Sequence, residues 1–234
     1  MLDAFLNVKY KGNTWFDGTL ISECGSHDDI KNTFPVIYLN MKTVSGKDPE
    51  SVARRFGHII RSAYRTHYYL ETSERLPGFM RKDVSKRLDY DLSEFEPDDL
   101  ASLSEMLHLH HGVPAVVLID EYDAPVHMAL GMEHYTDVIR TVRNTLTPLL
   151  KDNPHVYKAV LVGVLRVARE SLFSGLNNLV VSGPLEGSRF ADCFGMTEDD
   201  VISACDEAGH PEKLEEIREY YDGYHIAGTD IYNP

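Results

Sequence analysis

Apolar positions along this chain fall into two periodicities. Three short, nearly continuous apolar runs are bounded by turn residues. They are Val36 to Leu39 within Phe34-Pro-Val-Ile-Tyr-Leu-Asn40, Ala115 to Ile119, and Val156-Tyr-Lys-Ala-Val-Leu-Val-Gly-Val164. Runs of this length, rich in β-branched residues, read as strands buried on both faces of a parallel sheet. Between them the spacing turns helical. Val52, Phe56, Ile59, Ile60 and Ala63 form the stripe of a helix opened by Asp48-Pro49-Glu50 and running to about Leu70. Leu100, Leu103, Met106 and Leu107 belong to a helix opened at Pro97-Asp98-Asp99 and stopped at Gly112. Val138, Ile139, Val142, Leu146 and Leu149 mark a third helix, from about His134 to Leu150. Met1 to Val8 reads as helix, with Leu2, Phe5 and Leu6 on one face.

The strand at 115, the helix from 134 and the strand at 156 have the lengths of a right-handed βαβ unit. The predicted fold is therefore a three-layer α/β sandwich with a mainly parallel sheet over residues 1–182. A small helical region is expected over 183–234. Thr197-Glu-Asp-Asp200 there resembles a capping box for a helix to about Ala208. Pro211 opens another, with Leu214, Ile217, Tyr220 and Tyr221 inward, and Tyr221-Asp-Gly-Tyr224 reads as a turn.

Composition narrows the setting. The 234 residues are 43% hydrophobic and 26% charged, as in ordinary globular proteins. No apolar run approaches ~20 residues, so no membrane-spanning helix is expected. Cys24, Cys193 and Cys205 are odd in number and widely spaced, which suits a reducing cytoplasm. The net charge of −14 argues against whole-surface binding of nucleic acid. One segment departs from it: Arg54 to Arg87 carries nine basic residues against three acids. This basic connector, broken at Pro77-Gly78, offers a face to nucleic acid or an acidic partner, or is simply a solvated helix pair.

The candidate chemistry lies at the end of the second apolar run. Ala115 to Ile119 closes in two adjacent carboxylates, Asp120 and Glu121. In open parallel sheets, ligands bind just past the carboxyl ends of the strands. An apolar strand closed by Asp-Glu is the Walker B pattern, in which the first acid holds Mg²⁺ and the second orients or deprotonates an attacking water. The competing reading is a solvated strand end, with Asp123 capping a helix and Pro125 in its first turn. Arg166, just past the third strand, stands where it could face a γ-phosphate, or could pair with Glu170 at the surface. Ser171-Leu-Phe-Ser-Gly-Leu-Asn-Asn178 has the small polar character of a loop beside a ligand. His108, His110 and His111 fall in a last helical turn, where the dipole favours them. With no Cys or carboxylate at ligand spacing, we assign no metal there.

Three stretches in this order resemble the bacterial AAA-ATPase-like family. They are Leu118-Ile-Asp-Glu-Tyr-Asp-Ala-Pro125, Gly163-Val-Leu-Arg-Val-Ala-Arg-Glu-Ser-Leu-Phe-Ser-Gly-Leu-Asn-Asn178, and Tyr221-Asp-Gly-Tyr224 with Tyr232-Asn-Pro234. The resemblance implies a P-loop ATPase core using ATP and Mg²⁺, often joined to a PD-(D/E)XK nuclease domain. It makes Asp120 the Mg²⁺-linked acid, Glu121 the catalytic carboxylate and Arg166 the sensor, with Arg169 as competitor for that last role. It implies a nuclease domain or partner protein, and nucleic acid only indirectly. One part of the pattern is missing: no G-x-x-x-x-G-K-[ST] loop occurs. Gly46-Lys47 is preceded by Met41 in place of the first glycine and followed by Asp48 in place of Ser/Thr. The resemblance therefore implies a chain truncated at both ends relative to the family, with weak or absent hydrolysis. A module that binds protein without nucleotide is the alternative.

Overall fold

The structure, a computed structural model, describes residues 1–89, 95–164, 179–183, 195–226 and 228–232. The chain divides into two compact units, Met1–Asn177 and Asn178–Pro234.

The first unit is built on three parallel strands, β1 (Val36–Asn40), β2 (Ala115–Asp120) and β3 (Val156–Val162), in that spatial order. Val36 pairs with Val116 and Asn40 with Asp120, so β1 and β2 end level. Val162 of β3 lies opposite Asp120 from the other side. Alternation then sorts the side chains. Ile37, Leu39, Val117 and Ile119 enter the main core with Phe56 and Ile60 of α3 (Pro49–Thr66), Leu103 and Leu107 of α5 (Asp99–His111), and Val138, Val142 and Leu146 of α7 (Tyr135–Leu150). On the opposite face, Val36, Val116 and Leu118 pack with Phe34, Leu6 and Ile30 in a smaller cluster.

The residues that cover this second face are stitched down by Asn32. Its side-chain amide donates to the carbonyls of Ala4, Phe5 and Asn7 (2.9, 3.1 and 3.0 Å), and its Oδ1 accepts from Asn13. Short helices α1 (Leu2–Leu6) and α2 (Leu20–Cys24) lie in this segment. Asp48 caps α3 through a reciprocal box with Ser51. Gly46 is required beside it, since an added Cβ would fall 2.0 Å from the Ser51 hydroxyl. Gly112 ends α5 at φ +77°, the left-handed position that glycine adopts without penalty.

A hydrogen-bonded chain fastens the start of β1 to the end of α5. His67 Nε2–H donates to the Val36 carbonyl (3.1 Å), so its Nδ1 accepts from the Tyr69 hydroxyl (3.1 Å), whose oxygen accepts from His111 Nε2 (2.9 Å). With Nε2 as donor, a neutral His67 leaves Nδ1 to accept the Tyr69 proton, and burial favours the neutral form of both rings. Burial pushes each of them down to about 4.

The expected architecture needs correcting. The sheet is small and wholly parallel, and helix dominates the described residues, because the long connection from β1 to β2 holds three helices. One of these, α4 (Gly78–Asp89), lies in what reads as a basic connector. Its apolar signal is thin, and Val84 is its one fully buried residue. Nor is the C-terminal portion merely a small helical region. In the second unit, α8 (Glu198–Glu207) and α9 (Leu214–Tyr221) are followed by an antiparallel hairpin, β4 (Asp222–Ile226) and β5 (Thr229–Tyr232). The Tyr221-Asp-Gly-Tyr224 stretch leads into a strand; the reversal comes later, with Gly228 at φ +90°. Tyr232, Val201 and Cys205 form the centre of that unit. Arg218 and the Tyr232 hydroxyl both bind Glu198.

Candidate functional site

Asp120 is the last residue of β2 and is half-buried. Because β1 and β2 run level and parallel, side chains of β1 on the same face can reach it. The Tyr38 hydroxyl and the Asn40 amide both donate to Asp120 Oδ2, each at 3.3 Å. One carboxylate oxygen is thus held from two sides, leaving Oδ1 for another ligand. The chain then folds over the strand ends. Met41 N–H donates to the Asp120 carbonyl (2.9 Å), and Lys42 N–H donates to Asn40 Oδ1 (3.0 Å). Lys42 Nζ comes within 3.9 Å of Glu121 Oε1.

Glu121 has φ +52°, in the left-handed region that residues with a Cβ avoid. The turn is held by Tyr122 N–H to the Val162 carbonyl (3.2 Å) and Ala124 N–H to the Glu121 carbonyl (3.1 Å). Strained backbone of this kind concentrates at functional sites. The next acid is arranged differently. Asp123 is 3% exposed and stands at the N-cap of α6 (Ala124–Met128), yet its side chain makes no capping bond. It packs instead on Gly163, where a Cβ would lie 2.4 Å from Asp123 Oδ1 and 2.7 Å from the Tyr122 ring. Two of the three sequence stretches that carried the family resemblance thus meet at this point, and the meeting explains the glycine.

Of the residues singled out in the sequence, Asp120 and Glu121 stand together at the open end of the sheet. Arg166, Arg169 and the Ser171 to Asn178 stretch lie outside the described residues. The histidines of α5 serve as local contacts: His108 with His155, His110 with Ser73 and His111 with Tyr69. Sequence reasoning missed Tyr38, Asn40 and Lys42. Their alternate spacing puts the first two on one strand face, but only the register with β2 brings them to Asp120. A cavity of about 160 Å³ is lined by Val36 and Tyr38 of β1 together with Asp3, Asn7, Ser62 and His67 among others. Tyr38 borders both places.

Comparison with known proteins decides the lineage. Residues 1–173 match the AAA-ATPase-like family, described as "Predicted AAA-ATPase". The chain belongs to this family. It is also 38% identical over 137 residues to an "Uncharacterized protein in vnfD 5'region" of Azotobacter chroococcum mcd 1. The match covers 56% of this chain and 25% of that protein. The chain thus spans about a quarter of that relative's length. No solved structure matches.

Membership of an ATPase-like family raises Mg²⁺ and nucleotide as ligands whose fit to these residues can be tested. Mg²⁺ is commonly bound through one or two carboxylates, with waters and substrate phosphates completing its shell. A strand-end carboxylate with one oxygen fixed and the other available fits that habit. Among the described residues no cluster of three His, Cys, Asp or Glu side chains is placed to hold a metal, so a cage made wholly of protein groups is not what these residues form. No G-x-x-x-x-G-K-[ST] stretch occurs among these 234 residues, so the fit rests on the metal side alone. No described helix is long and apolar enough to cross a membrane.

Proposed function

We propose that the chain is a nucleotide-responsive AAA-ATPase-like core whose Mg²⁺·ATP site lies at the carboxyl ends of β1 and β2. The observation that carries the reading is the seating of Asp120, closing the central strand with one oxygen held by Tyr38 and Asn40. In this reading Asp120 holds Mg²⁺, directly or through water, and Glu121 orients the water that attacks the terminal phosphate. The family resemblance adds Arg166 facing that phosphate. The metal, when bound, would neutralise phosphate charge and polarise the phosphoryl oxygens. The protein's own part is to fix the Asp120 carboxylate and to aim Glu121 from a strained turn.

Hydrolysis by this sequence is weak or absent, because no Gly-rich loop with its lysine gathers the phosphates. Binding of ATP then serves to bias conformation, with a nuclease domain or partner protein as the recipient. Titration calorimetry with Mg²⁺·ATP tests the reading. It expects heat that Asp120→Ala diminishes. A steady-state ATPase rate that vanishes in Glu121→Gln, but is absent from a mock preparation, would show that turnover survives without the loop. No heat up to millimolar ATP would leave the second reading, a protein-binding module that ignores nucleotide. The missing Walker A loop favours that second reading.

A further inference from the structure

The strand ends carry one more group suited to this chemistry, and we infer that Lys42 binds the terminal phosphate, so that the site distinguishes tri- from diphosphate. The inference rests on the Mg²⁺·ATP reading above and deepens it.

Lys42 is rooted in the site. Its N–H is held by Asn40 Oδ1, the same side chain whose amide steadies Asp120. The residue before it donates to the Asp120 carbonyl, and Val44 N–H returns to the Met41 carbonyl (3.0 Å). Met41 and Val44 are 1% and 0% exposed, so the backbone at Lys42 is pinned between two buried anchors. The side chain, by contrast, is 71% exposed and reaches only 3.9 Å from Glu121 Oε1. A long, solvated pair of this sort is weak. The ammonium is therefore free to exchange a carboxylate for a more highly charged partner. Among the described residues it is the one cation paired with either Asp120 or Glu121.

The charge balance calls for such a group. Two carboxylates face an incoming polyanion, and Mg²⁺ offsets only part of the repulsion. An ammonium offers three donors and acts as a point charge toward phosphate oxygens. Its nearness to Glu121, the group that orients water at the terminal phosphate, selects that phosphate over the inner ones. A diphosphate lacks the group that Lys42 would meet.

The test is calorimetric titration of the full chain with Mg²⁺·ATP and Mg²⁺·ADP, for wild type, Lys42→Ala, Lys42→Arg and Asp120→Ala. Loss of one charge-assisted contact predicts that Lys42→Ala weakens ATP about tenfold and ADP by less than about twofold. Lys42→Arg keeps most of the difference, and thermal melts of both Lys42 variants match wild type. Suppose wild type binds and Asp120→Ala weakens it, but Lys42→Ala leaves ATP unaffected or weakens both nucleotides equally. The role of Lys42 is then overturned while the nucleotide site stands. No heat in wild type up to millimolar ATP, or heat that Asp120→Ala leaves unchanged, overturns both.

Discussion

Two faces of the same three strands meet different surroundings. On one, Ile37, Leu39, Val117 and Ile119 are at most 1% exposed, because α3, α5 and α7 cover the strands along their length. On the other, Val36 and Val116 are as well buried as a core, but Tyr38 is 51% exposed, Asn40 is exposed and Asp120 is only half-buried. Cover by the N-terminal segment reaches the first half of that face only. The candidate chemistry begins where the cover stops. Alternation thus lets one strand hold the core with its odd residues and build a site with its even ones, and neither task compromises the other.

The comparison breaks most sharply on a core residue. Ile119→Ala, one position before Asp120 and on the covered face, should cost about 2–5 kcal/mol through lost burial and a residual cavity. Tyr38→Ala on the open face should cost less than about 1 kcal/mol. Urea unfolding of the two variants checks the contrast, and equal losses would mean that the second face is as well packed as the first.

Acid should loosen the seam where β1 meets α5. His67 is held at about 4 against an ordinary 6.5, chiefly by burial, which outweighs the opposing bond to the Val36 carbonyl, with the positive charge of Lys9 adding to the effect of burial. The unfolded chain therefore binds the proton more readily than the native one. Stability is fully present above about 6.5 and is lost as pH falls towards 4, by about 3 kcal/mol from His67. His111, also lowered to about 4 by burial, adds in the same direction. Unfolding midpoints between pH 7.5 and 4.5 should fall steadily, and His67→Gln should flatten the slope. A midpoint independent of pH would contradict the neutral chain of hydrogen bonds.

Gly163→Ala probes the open end from β3. The new methyl meets Asp123 and Tyr122 at distances no real contact tolerates, so the turn after β2 must shift. The expected cost is about 1–3 kcal/mol, as for overpacking, with loss of any nucleotide response. The smallest effect has the opposite sign. Glu121→Gly relieves the left-handed backbone and should stabilise the protein by about 1 kcal/mol while removing the carboxylate. A gain in melting temperature together with lost ATP response would mark Glu121 as strained for function. A loss in stability would mean that the turn favours glutamate for structural reasons.

Much of this was legible in the chain. Three apolar runs marked β1, β2 and β3, and β2 gained only Asp120 at its end. The helix from His134 formed with His134 itself at the N-cap, and the Thr197–Asp200 capping box formed as its residues suggested. Local chemistry decides such features, so a sequence displays them. Helix α4 was legible only as the second member of a solvated helix pair, because its apolar signal is thin and Val84 is its one fully buried residue. The β4–β5 hairpin stayed hidden because its short strands are set by pairing, with Tyr232 bridged to Met196, and not by an apolar run.

The candidate site divides in the same way. By itself the sequence determined that a buried strand ends in Asp120 and Glu121, because burial and the polar break are local properties of a few residues. It also shows no G-x-x-x-x-G-K-[ST] stretch among these 234 residues. Only the tertiary structure decided that Tyr38, Asn40 and Lys42 join those acids, that Gly163 makes room for Asp123, and that Glu121 sits in a left-handed turn. The first depends on the register of β1 on β2, which brings Asn40 to Asp120 across 80 positions of chain, and the second on the pairing of β3 beside β2. No local pattern encodes that register. It is set by which apolar faces the helices bury together.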